Sequence, residues 1–124
     1  VSTLYLLVGA AGAIGAPARY VVDVVIQDRR DGAFPLGTLV INGTGAFLLG
    51  VITGLALHHG LSRPARIGLG TGLCGAYTTF STFSYETIRL LEEGSGWEAA
   101  LNIASSLAVG LVAGAVGLAL ALAA

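Results

Sequence analysis

The sequence predicts an all-α membrane protein with four transmembrane helices per subunit, the third interrupted in mid-membrane. Three observations predict it. Hydrophobic residues make up 55% of the 124 and charged residues only 10%, whereas a soluble domain needs about a quarter of its residues charged to cover its wet surface. Apolar stretches recur at the length that crosses the hydrocarbon of a bilayer, roughly 20 residues. The third stretch is cut short by a run of hydroxyl side chains, Thr78-Thr79-Phe80-Ser81-Thr82-Phe83-Ser84.

The first helix is expected over residues 3–26. It opens without the basic region of a signal peptide and runs past signal-peptide length through Pro17 to Arg19, so it reads as a retained membrane helix. A charged loop follows, Gln27-Asp28-Arg29-Arg30-Asp31-Gly32, and Pro35 suits the first position of a second helix over residues 35–57. His58-His59-Gly60 ends it. Pro64 opens the third segment, residues 64–91, whose apolar part from Ile67 to Tyr77 is too short to span, which places a break near residues 75–79. After the loop Glu92-Glu93-Gly94-Ser95-Gly96, Trp97 has the interfacial preference of a helix start, and the fourth helix covers residues 97–122. With no linker, internal repeat or disordered segment, residues 1–124 read as one domain.

Charge narrows the function classes. A net charge of -1, with six arginines and no lysine, offers no basic face to a nucleic acid. Cys74 is the single cysteine, which excludes an intrachain disulfide and a cysteine-based metal cluster. An even number of crossings puts both termini on one side, with Arg63 and Arg66. Arg29, Arg30 and Arg89 lie on the other, and Arg19 near it. So small a bias lets the chain insert either way round. The glycine pairs Gly50 and Gly54, Gly68 and Gly72, and Gly110 and Gly114 have the small-xxx-small spacing that lets helix backbones approach, in packing or in dimerisation.

Two motif matches fail on context. Gly70-Thr71-Gly72-Leu73-Cys74-Gly75 fits a dinucleotide-binding pattern, but no strand precedes it and no βαβ unit surrounds it. Asn42-Gly43-Thr44 fits a glycosylation acceptor but sits inside an apolar helix. Polar groups at bilayer depth need a partner or a wet path. For Thr44 and Ser105 interhelical hydrogen bonding is the expectation; for Asn42 and the run from Thr78 a conduit is. A helix broken at that run releases carbonyls suited to a bare cation such as Na⁺. Phe80 and Phe83, three apart, share a face on which positive ring edges can meet an anion. Arg19 either snorkels to the interface or draws anions to a vestibule. His58 and His59 read as interfacial residues, and Glu86 as a local cap or pairing partner. No hydroxyl has a histidine base nearby, so the chain does not read as an enzyme.

The segments Gly12-Ala13-Ile14-Gly15-Ala16-Pro17-Ala18-Arg19-Tyr20, Gly37-Thr38-Leu39-Val40-Ile41-Asn42 and Gly72 to Glu86 resemble the small dual-topology fluoride channels of the Fluc, or CrcB, family. The resemblance covers nearly the whole chain. It implies passive fluoride export across a bacterial inner membrane by an antiparallel homodimer, with two pores and a central structural Na⁺. By motif, Phe80 and Phe83 resemble the pore phenylalanines, and Gly75 and Thr78 the residues whose carbonyls hold Na⁺. Asn42 resembles the pore asparagine, Ser81 and Thr82 a polar track beside the rings, and Ser106 a serine of the fourth helix. Asn102 stands where a tyrosine is common and Gly110 where a second serine can occur. The rivals are a small proton-coupled multidrug transporter and a non-conducting subunit, structural or half of a heterodimer. The first needs a membrane-embedded carboxylate, and the first helix has no acid before Asp23.

Overall fold

The computed structural model describes residues 2–29 and 32–124. Arg30 and Asp31, expected in the first charged loop, lie outside the described residues. The described residues form helices and no strand. Three helices are long and apolar enough to cross a membrane: α1 (Ser2–Gln27), α2 (Leu36–His58) and α6 (Gly96–Ala123). Between α2 and α6 the chain is helical in pieces: α3 (Arg63–Arg66), a π-helix (Ile67–Cys74), α4 (Gly75–Tyr77) and α5 (Phe80–Glu92).

Local chemistry accounts for the ends. Pro35 precedes α2, and the Gln27 side chain at the end of α1 accepts the Gly37 amide at 3.0 Å, which satisfies one of the donors that a first helical turn leaves unpaired. The His59 amide returns to the Leu55 carbonyl and Gly60, at φ +69°, turns the chain in a backbone region open to glycine. Ser62 caps α3 by accepting the Ala65 amide at 3.3 Å, with Pro64 in the first turn. Pro17 lies inside α1 without ending it.

Small residues set the packing, as the absence of a hydrophobic drive between helices in lipid requires. α2 and α6 touch backbone to backbone: a Cβ on Gly50 would strike the Gly114 carbonyl, and one on Gly117 the Phe47 carbonyl. α1 meets the π-helix in the same way, with Gly72 only 2.9 Å from the Val8 oxygen by that measure and Gly15 against the Leu73 oxygen. Gly50, Gly54, Gly68 and Gly72 therefore lie at contacts as their spacing predicts. Gly110 does not, since a Cβ there meets nothing within 4 Å; the α6 contact runs one turn later, through Gly114 and Gly117. The π-helix is absent from the sequence expectation. Gly68, Gly70 and Gly72 supply three residues without side chains to this wider turn, a geometry often found beside functional sites.

Candidate functional site

The break falls at Thr78 (φ −82°, ψ 162°) and Thr79 (φ −150°, ψ 119°), two extended residues between α4 and α5. Extended backbone in a low-dielectric layer must find new partners for its amides and carbonyls. Asn42, from the middle of α2, supplies two of them. Its Oδ1 accepts the Thr79 amide at 2.9 Å and its Nδ2 donates to the Thr79 carbonyl at 2.9 Å, so one carboxamide pairs with one residue as a strand neighbour would. The Thr79 hydroxyl accepts the Thr82 amide at 3.1 Å, which caps α5, and donates to the Thr82 hydroxyl at 3.1 Å; the Ser81 hydroxyl lies 3.3 Å away. The Thr78 amide and hydroxyl both donate to the Cys74 carbonyl, each at 2.9 Å.

These bonds decide which acceptors are left over. The Thr79 amide goes to Asn42 and the Thr82 amide to a side chain, so the carbonyls of Gly75 and Thr78 lose the donors that an unbroken helix would bring them. Two released carbonyls fit a hard cation that takes oxygen ligands. Gly75 and Thr78 line a cavity of about 370 Å³ with Asn42, Gly45, Thr79 and Phe80. A Cβ on Gly45 would strike the Thr78 methyl, which explains how α2 comes this close to the break.

A second cavity, about 210 Å³, is lined by Arg19, Tyr20, Asp23, Thr38, Ile41, Thr79 and Thr82. Thr79 lines both cavities, so the break forms the wall between them. Arg19 thus faces the hydroxyl run rather than standing apart from it. Phe80 is 79% exposed at the mouth of the first cavity, and its ring lies 5.7 Å from that of Phe83, tilted at 43°. Ser81, Phe83 and Ser106 line neither cavity. The sequence marks Thr79 only as one hydroxyl of its run, and Thr38 and Asp23 only as a hydroxyl and a carboxylate near the ends of apolar helices.

Other polar residues find partners in their own helix or in a neighbouring one. The Thr44 hydroxyl donates to the Val40 carbonyl at 2.8 Å and meets the Tyr77 hydroxyl of α4 at 2.9 Å, as expected between helices, whereas Ser105 donates to the Leu101 carbonyl at 2.6 Å, within its own helix and not between helices as expected. One His59 ring nitrogen, Nε2, lies 2.9 Å from the Ala121 carbonyl. One Glu86 carboxylate oxygen, Oε1, is buried with no hydrogen-bond partner among the described residues, while the Thr38 hydroxyl stands close enough to bond the carboxylate. Arg89, one turn on, pairs instead with Glu93 at 2.9 Å.

Comparison with known proteins gives a consistent result. The profile of the family described as CrcB-like protein, Camphor Resistance (CrcB), matches residues 6–118. The chain is 52% identical over 113 residues to a protein of Streptomyces avermitilis named fluoride-specific ion channel FluC 1, covering 91% of each chain. It is 50% identical over 110 residues to the fluoride-specific ion channel FluC of Acidobacterium capsulatum, covering 88% of each. With the protein of that name from Geobacter sulfurreducens it shares 46% over 111 residues, covering 89% of this chain and 90% of the other.

Proposed function

The chain belongs to the CrcB family, and on that premise we propose that it is a fluoride channel, conducting the ion passively through two pores of an antiparallel homodimer in a bacterial inner membrane. Residues 63–92 form the fourth crossing of each subunit, broken at Thr78 and Thr79. The observation that supports this most is the asparagine-clamped break with hydroxyls on one side and exposed phenylalanine on the other.

Fluoride is small and strongly hydrated, so its path has to replace water with donors at each step. Arg19 draws the anion into the cavity it shares with Thr38, Thr79 and Thr82. Hydroxyls of Ser81 and Thr82 donate along the face of α5, and Phe80 and Phe83 offer the positive edges of their rings. Ser106 of α6 belongs to the same path where two subunits meet. Asn42 holds the break and has one amide hydrogen left to donate. The path holds no lysine, and Arg19 stands at its mouth, so the ion is not trapped midway. The carbonyls of Gly75 and Thr78 from two antiparallel copies would hold the structural Na⁺, which supplies positive charge at the centre of the dimer and ties the copies together.

Fluoride efflux from liposomes, read with an ion-selective electrode, tests the pore assignment. Phe80→Ile and Phe83→Ile are each expected to abolish release without changing reconstitution. Unchanged release from both variants would remove the rings from the path. The unpaired Glu86 oxygen favours a second reading, a proton-coupled transporter. Release that requires a pH gradient would support that reading instead.

A further inference from the structure

α5 is held by asparagines from two different helices. Asn42 of α2 clamps its cap at Thr79. About two turns further along α5, Asn102 of α6 donates from Nδ2 to the Thr87 hydroxyl at 2.9 Å, and that hydroxyl donates to the Phe83 carbonyl at 2.8 Å. Asn102 is 1% exposed and among the largest fully buried side chains; Thr87 is buried too. Among the described residues this is the one side-chain hydrogen bond between α5 and α6.

The order of the relay follows from its donors. A threonine hydroxyl carries one hydrogen, and a carboxamide nitrogen only donates. With Asn102 occupying a lone pair of the Thr87 oxygen, the hydroxyl hydrogen turns to the carbonyl one helical turn back, that of Phe83. Such back-bonding bends a helix slightly at the carbonyl it reaches. In a site shielded from water the bonds strengthen one another, and losing one leaves the next polar group unpaired.

We propose that Asn102 is a positioning residue for the phenylalanine pair, acting through Thr87 to fix the rotation of α5 at Phe83. The ring of Phe83 then presents its edge at a constant place beside Phe80. The proposal rests on the reading of that pair as part of the fluoride path.

The test combines flux with a local probe. Asn102→Leu keeps the size and removes the donor, Thr87→Val keeps the shape and removes the hydroxyl, and Thr87→Ser keeps the hydroxyl. Each is made in the full chain and in chains carrying 4-fluorophenylalanine at position 83 or at position 80. Asn102→Leu and Thr87→Val are each expected to slow fluoride efflux by about tenfold, the factor one lost hydrogen bond is worth in an equilibrium. Thr87→Ser conducts as the unaltered chain does, and the double variant N102L/T87V is no slower than either single. The fluorine signal moves at position 83 and moves less at position 80, which follows the Thr79 that Asn42 holds. An unmoved signal at position 83, or slowing that multiplies in the double variant, would overturn the relay. Should Asn102→Leu not fold, the Thr87 pair decides alone. If the unaltered chain releases no fluoride, the functional reading fails while the fluorine signal still decides the positioning role.

Discussion

At the scale of single residues, the chemistry of the site rests on side chains that replace backbone. Asn42 does for Thr79 what a neighbouring strand does elsewhere, and Asn42→Leu leaves the Thr79 amide unpaired inside the membrane and takes one donor from a carbonyl that, as the cap of α5, also accepts the first helical amide. At about 1–3 kcal/mol for a buried group left without a partner, the loss is about 1–3 kcal/mol, which a denaturation series in detergent will register. Thr79→Val removes the cap of α5 at a cost of about 1 kcal/mol and frees the Thr82 amide; circular dichroism on heating will show the lower midpoint. Asn42 was visible in the sequence as a polar residue at bilayer depth. Its partner was not, because 37 residues separate it from Thr79 and only the fold brings them together.

At the scale of elements, glycine spacing carries most of the information. Gly50 and Gly117 sit where helix backbones touch, so Gly117→Val forces α2 and α6 apart and is expected to cost about 1–3 kcal/mol. Gly110→Ala meets open space and leaves the melting temperature unchanged or raised. The long apolar helices and the interruption after Tyr77 were legible, since length and hydroxyl content mark them directly. The π-helix over Ile67–Cys74 was not. Its widened turn depends on how α1 packs against Gly72, and a run of alternating glycines reads equally well as an ordinary packed helix. The role of Asn102 escaped for a similar reason: nothing local tells a polar residue facing a pore from one tied to the next helix.

At the scale of the molecule, one subunit leaves its most unusual groups facing outward. Phe80 is 79% exposed and the cavity beside Gly75 and Thr78 opens beside it, which fits a site completed by a second copy in the opposite orientation. The sparse, evenly spread arginines permit that arrangement. Purified protein cross-linked in liposomes is expected to run as a dimer. Passive, selective fluoride conduction is tested by efflux of fluoride and of chloride from proteoliposomes at equal pH inside and out, started by a potassium ionophore. Fast release of fluoride with chloride retained is the expected result. Retention of fluoride by the folded, reconstituted dimer, or equal release of both ions, would contradict it.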